Sequence, residues 1–229
     1  LNDIYSNATL DELITFVFNE YKDKLTLASS LGVEDQIITH VLAGVTDSMD
    51  VFVLDTGRLH QATYDVMEQT MAKYSFQYRI FFPNNGRVEA MVSTHGPNHF
   101  YQSLENRKAC CFIRKVEPLK RALSGYSAWI TGIRRAQSID RAMTPLFEWD
   151  DAHQMLKINP LVKWSKEDVW QFVKEHNVLY NSLHDQGYPS IGCEPCTRAI
   201  KEGEDIRAGR WWWEAADQKE CGLHMSEDK

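Results

Sequence analysis

The chain has 229 residues, with 32 Asp and Glu against 25 Lys and Arg for a net charge of −7, and 43% of its residues are hydrophobic. That length supports one large α/β domain with a well-buried core that needs no disulfide staples, and the acidic balance excludes the broad basic surface of a nucleic-acid binder. No apolar run approaches the roughly 20 residues of a membrane span and no signal-peptide pattern opens the chain, so no membrane association is expected, and the expected compartment is cytoplasmic.

In chain order, "TLDELITFVFNEY" predicts a helix, because Thr9 and Glu12 stand in capping-box spacing ahead of an apolar periodicity. A strand follows at "LTLAS" (25–29), a helix at "EDQIITHVLA", a strand at "VFVLD" (51–55) and a helix at "HQATYDVMEQTMAKY". "YRIFF" and "AWITGI" read as two further strands. This alternation is that of βαβ units, which build a mostly parallel sheet flanked by helices. Ligands of such sheets gather beyond the carboxyl ends of the strands, which singles out "SSLGVED", "LDTGR" and "TGIRR". Later, "LFEWDD" and "MLKINPL" read as strands, and "SKEDVWQFVKEHN" reads as a helix capped by Ser165. Beyond it the chain is rich in Gly, Pro and charge and ends in a polar tail. The expected division is a body over residues 1–210 and a mobile C-terminal segment over 211–229.

Five cysteines divide into Cys110 with Cys111, Cys193 with Cys196, and Cys221 alone. The two intervening residues of "CEPC" let both sulfurs turn toward one centre, a common metal-binding spacing. Adjacent cysteines diverge along either a helix or a strand, and a cluster with thiolates on separate irons accommodates that divergence better than one tetrahedral zinc. A four-cysteine iron–sulfur site is therefore favoured. The other readings are a zinc site, or a redox dithiol at Cys193 and Cys196 beside two ordinary buried thiols. Cys221 reads either as a nucleophile that swings from substrate to partner or as a spare surface thiol.

Cations collect where the sheet predicts a ligand. Arg58 follows one strand, Arg134 and Arg135 follow another, Arg114 and Lys115 follow the paired cysteines, and Arg207 and Arg210 are spaced to share one side of a helical turn. They point to a phosphate or sulfate. "SSLGVED" offers backbone N–H groups to an anion at a helix N-terminus, yet lacks the Gly-Lys-Ser/Thr ending of a Walker loop. Glu34 and Asp35 read as first-turn acids that complement the helix dipole, and the indoles of "WWW" (211–213) read as packing.

With "SSLGVED", "LDTGRLH", "CCFIRKVEPL", "TGIRRAQS", "GCEPCTR", "EDIRAGRWWWE" and "ECGLH" in that order, the chain resembles the iron–sulfur assimilatory adenylyl-sulfate reductases from about residue 25 to His224. The resemblance implies an adenine-nucleotide α-hydrolase-like fold with a modified pyrophosphate loop. It also implies one four-iron four-sulfur (4Fe-4S) cluster per subunit on Cys110, Cys111, Cys193 and Cys196, and a catalytic nucleophile at Cys221. Lys115, Arg207, Arg210 and His224 match positions that hold the substrate's phosphate and sulfate, and Gly132, Arg134 and Arg135 belong to a motif assigned to the same pocket. Ser29, Ser30, Leu31 and Gly32, with Leu54, Asp55 and Arg58, match adenosine-binding loops. The implied reaction is reduction of adenylyl sulfate to sulfite and AMP through an S-sulfocysteine, in sulfate assimilation toward cysteine. Thioredoxin or glutaredoxin is the implied electron donor and a homo-oligomer the implied assembly. The family's relatives devoted to 3′-phosphoadenylyl sulfate lack the four cluster cysteines, so the simpler substrate is expected, with use of the 3′-phospho form or of both as the alternative. An ATP-consuming ligase of the same fold and a non-catalytic iron–sulfur or zinc module are the competing functions.

Overall fold

Helix α1 (Leu10–Tyr21) begins where Thr9 and Glu12 cap each other reciprocally, in a computed structural model that describes residues 1–138 and 141–215. Its Leu13, Ile14 and Val17 enter a core shared with α2 (Val33–Val45). Six strands form one sheet: β1 (Leu25–Ser29), β2 (Val51–Leu54), β3 (Arg79–Phe81), β4 (Ala128–Ile130), β5 (Phe147–Asp150) and β6 (Met155–Ile158), in the order β3-β2-β1-β4-β6-β5. All neighbours run parallel except β5 with β6. Leu27 faces Val51 on one side and Ile130 on the other and is fully buried, so the core is centred on β1.

Strand alternation sorts the apolar residues onto two faces. Val51, Val53, Ala128 and Ile130 join the larger core with α1, α2 and α7 (Lys166–His176), while Phe52 and Trp129 join a smaller one. The predicted strands and the helices α2, α3 (Gln61–Tyr74) and α7 all form, the last with a Ser165–Asp168 capping box. Among the described residues no helix is long and apolar enough to cross a membrane.

Between Phe82 and Ala128, where the sequence pattern predicts no element, the chain is helical. Helix α4 (Asn85–His95) buries only Met91, and α5 (Leu104–Cys111) only Arg107 and Cys110, so neither carries the apolar stripe that announces a helix. Helix α5 runs straight into a π-helical turn, Phe112–Val116, and then into α6 (Glu117–Ala122), whose Leu119 and Ala122 complete the smaller core. The paired cysteines thus end an α-helix at the point where it widens, and Arg114 and Lys115 lie on the wide turn.

The chain leaves β1 toward β2 and β3 on one side and returns to β4 on the other, so β1 and β4 flank a topological switch point. There the start of α2 comes close to the backbone at Gly132: a Cβ on Gly132 would collide with Asp35 Oδ1 and stand 2.9 Å from Glu34 Cβ. Gly132→Ala is expected to destabilise the protein by about 1–3 kcal/mol through overpacking, read from urea unfolding. Gly44→Ala, in the same helix α2 with nothing near its added methyl, is expected to be neutral or to stabilise by up to about 1 kcal/mol.

Candidate active site

The loop from β1 to α2 closes on its own side chains. The Asp35 carboxylate accepts hydrogen bonds from the Ser30 N–H at 2.7 Å and the Ser30 hydroxyl at 2.6 Å, Ser29 Oγ accepts from the Leu31 N–H, and Ser30 Oγ accepts from the Gly32 N–H. Leu31 sits at φ 61, a conformation that costs an L-residue about 1–2 kcal/mol, and its burial to 1% exposure returns a similar amount. The loop's N–H groups, expected from the sequence to cradle an anion, are instead taken within the chain: that of Ser30 by the Asp35 carboxylate and those of Leu31 and Gly32 by the Ser29 and Ser30 hydroxyls. Burial raises the Asp35 pKa to about 6, against the lowering effect of the Ser30 hydrogen bonds. Glu34 lies in the first turn as expected, and it also has a specific partner: it pairs with Arg134 Nε at 2.8 Å and accepts from Gln137.

Over this loop lies a cavity of about 240 Å³ walled by the carboxyl ends of β1, β2 and β4. Of the residues singled out in the sequence, Ser29, Ser30, Gly32, Leu54, Gly132, Lys115, Arg134, Arg207 and Arg210 line it. Leu31, Asp55, Arg58 and Arg135 do not. Asp55 accepts from the Gly57 N–H and the Tyr64 hydroxyl, shaping the β2 turn. Arg58 donates to Pro97 O and Asn98 Oδ1 and lies 5.1 Å from the centre of the Phe100 ring, and Arg135 donates to Thr144 O. Arg134, although on the wall, is 3% exposed and held by Glu34 and Trp164 O. Arg207 and Arg210 reach the cavity from a turn rather than the helical turn their spacing predicts.

A family model described as the phosphoadenosine phosphosulfate reductase domain matches residues 24–199. The chain belongs to this family. Among its relatives are adenosine 5′-phosphosulfate reductases of Allochromatium vinosum, 49% identical over 94% of this chain and 84% of the relative, and of Burkholderia cepacia, 49% identical over 95% and 86%. A solved phosphoadenylyl-sulfate reductase from Candida auris, in a phosphate complex, superposes with TM-score 0.75 at 27% identity over 87% of this chain and 94% of that one. The Candida glabrata FMN adenylyltransferase, at TM-score 0.57 and 14% identity over 96% and 74%, shares the fold. The protein is an oxidoreductase.

Four cysteines of the reductase lie within the described residues, joined by no disulfide, whereas Cys221 and His224 fall outside them. Cys110 and Cys196 pack in one cluster with Met91 and Phe100, and Cys193 Sγ lies 3.2 Å from Thr56 Oγ1. Burial pushes the Cys196 thiol up to about 12, nearby Cys193 adds to the rise, and Lys115 and Arg210 oppose it. Cys110 is raised by burial and opposed chiefly by Arg114. Lys115 and Arg210 therefore act on the cysteines and wall the cavity at once. Among the described residues, no three His, Cys, Asp or Glu side chains are grouped so as to hold a metal ion.

Among the wall residues that sequence reasoning passed over are Gln137, Arg141 and His184, and Trp211, which reads as packing, lines the wall as well. Arg141 has a legible signal as a further cation beyond the TGIRR strand end. His184, with its pKa lowered by burial, has none.

The Asp35 shift sets a stability dependence. Since its folded pKa exceeds the ordinary 3.8, the folded state keeps a proton that the unfolded chain has lost between about pH 4 and 6, and stability falls as pH rises through that window. Relative to Asp35→Asn, the wild type is expected to lose about 1 kcal/mol between pH 5 and 6 and almost nothing further above pH 7, measured by urea unfolding at each pH.

Proposed function

We propose that the protein reduces adenylyl sulfate to sulfite and AMP in sulfate assimilation. The observation that carries the reading is the cavity at the switch point, which shares Lys115 and Arg210 with the cysteine group. The names of its relatives at 45–49% identity support the choice of substrate.

The cavity suits a nucleotide with no β- and γ-phosphates. Asp35 and the Ser29 and Ser30 hydroxyls have taken the N–H groups that a phosphate loop would offer, so charge recognition passes to the cations of the wall, Lys115, Arg141, Arg207 and Arg210. The Cys221 thiolate attacks the sulfonyl sulfur, the bond from sulfur to the AMP phosphate oxygen breaks, and its electron pair leaves with AMP. Nucleophile and substrate are both anionic, and the cations offset their repulsion and stabilise charge that grows on the AMP oxygens. A thiolate of a dithiol protein of the thioredoxin or glutaredoxin class then attacks Cys221 Sγ and expels sulfite. Its second thiol resolves the mixed disulfide, so the dithiol supplies both electrons.

The cysteine group fits a 4Fe-4S cluster held by Cys110, Cys111, Cys193 and Cys196. Beside these thiols, Arg114 Nε, Arg210 Nε and Trp213 Nε1 are buried donors without a partner among the described residues, which is what a missing anionic acceptor leaves behind. A cluster with one thiolate on each iron also accepts more widely spread ligands than a single ion does. When bound, it supplies fixed charge beside the substrate's sulfate and orders the turn that carries Lys115.

Anaerobic incubation with adenylyl sulfate alone, followed by intact mass and peptide mapping, is expected to show a sulfonate adduct on Cys221 that reduced thioredoxin discharges as sulfite. 3′-Phosphoadenylyl sulfate in parallel is expected to react more slowly, and Cys221→Ser to give no adduct. Lys115→Ala is expected to slow adduct formation by about 10²–10³-fold. No adduct from either nucleotide with iron fully loaded would overturn the reading.

A further inference from the structure

Arg107 lies on α5 one turn before the paired cysteines and is 1% exposed. Its guanidinium grips Glu214, Nε donating to both carboxylate oxygens at 3.0 and 3.2 Å and Nη2 donating to Oε2 at 2.8 Å, with the Glu214 side chain only 5% exposed. The two residues are 107 positions apart in the chain. Beside the pair lies Trp211, whose buried indole centre is 4.6 Å from the guanidinium carbon of Arg107 and 4.6 Å from that of Arg210. The Trp211 N–H donates to Cys196 O, and the Glu214 N–H donates to Trp211 O, so residues 211–214 form a turn pinned at both ends. Arg210 donates to Ile191 O and packs where Gly192 has no side chain, since any Cβ there would collide with its guanidinium.

A buried, multiply hydrogen-bonded pair between positions 107 apart in the chain is an expensive way to hold one turn, and it is aimed at two functional points. Through Trp211 it bears on Arg210, a cavity cation. Through Glu214 it fixes the chain seven residues before Cys221. We propose that Arg107 is a positioning residue: with Glu214 and Trp211 it forms a strut that sets the Arg210 guanidinium against the substrate's anion and sets the point from which the chain departs toward Cys221. This rests on the adenylyl-sulfate reading for the identity of the anion and of the nucleophile. Two charged guanidiniums share one indole, so a shift of either is felt by the other without direct contact.

The test compares wild-type holoprotein with Arg107→Lys, whose single ammonium cannot reproduce the forked grip. Three quantities are read: single-turnover adduct formation on Cys221 at saturating adenylyl sulfate, equilibrium affinity for adenylyl sulfate and for adenosine, and the rate at which iodoacetamide modifies Cys221, resolved by peptide mapping. The strut predicts adduct formation slowed by about 10²-fold. It also predicts affinity for adenylyl sulfate lowered by about tenfold, affinity for adenosine within about twofold of wild type, and a changed alkylation rate. Adduct formation and affinities all within about twofold of wild type would overturn it, as would a parallel loss of adenosine affinity, which marks general loosening.

If Arg107→Lys loses its iron or its cooperative unfolding, the double variant Arg107→Met with Glu214→Met replaces the pair with apolar volume, a change that folds tolerate. The strut predicts that this variant folds and still shows the slow adduct and the selective loss. Wild-type kinetics in it would overturn the proposal. Should the wild type itself form no adduct, the functional reading fails, and the strut is judged on the alkylation rate and the selective affinity loss alone.

Discussion

The Asp35 carboxylate, seated on the Ser30 amide and hydroxyl and pressed against the backbone at Gly132, is the contact on which the site depends. It joins the end of β1, the start of α2 and the end of β4, the three pieces that part at the switch point. Were the carboxylate absent, the Ser30 amide and hydroxyl would be left without their acceptor at the start of α2, where an anion is favoured. With it in place the loop is a floor rather than a receptor. The energy of that choice is visible in Asp35 itself, whose burial outweighs two short hydrogen bonds and pulls its pKa upward.

With the floor closed, the cations that face the cavity are side chains that arrive from far along the chain. Lys115 comes from the π-helical turn, Arg141 from beyond the β4 loop, and Arg207 and Arg210 from the last described turns. Arg134 sits among them with its charge largely spent on Glu34. The wall is therefore assembled from parts of the chain that also hold the cysteines, and two of its cations act on both groups. The cavity wall and the cysteine group thus share the charges of Lys115 and Arg210.

Much of this was legible in the sequence where apolar periodicity and turn chemistry agreed. The strands at 25–29 and 51–54 stand where "LTLAS" and "VFVLD" place them, and the Thr9–Glu12 and Ser165–Asp168 boxes cap the helices they announce. Helices α4 and α5 were not legible, because helices that bury one or two residues show no stripe. Pairings across a hundred positions were equally hidden. Nothing local marks Glu34 as the partner of Arg134, or Arg107 as a buried residue, and Arg58 reads as a pocket cation until Phe100 and Pro97 are seen to hold it. Motif order named the candidates, but only packing shows which arginines are committed to structure.

The π-helical turn at Phe112–Val116 also constrains the length of this stretch. A π turn holds one residue more than the α-helix it interrupts, and each residue rotates a helix by about 100°. Loss of one residue there would restore a regular helix and swing the paired cysteines away from α6, whose Leu119 and Ala122 are anchored in the core. The stretch "CCFIRK" is thus a fixed-length gauge: substitution within it changes chemistry, whereas insertion or deletion changes which way the cysteines point.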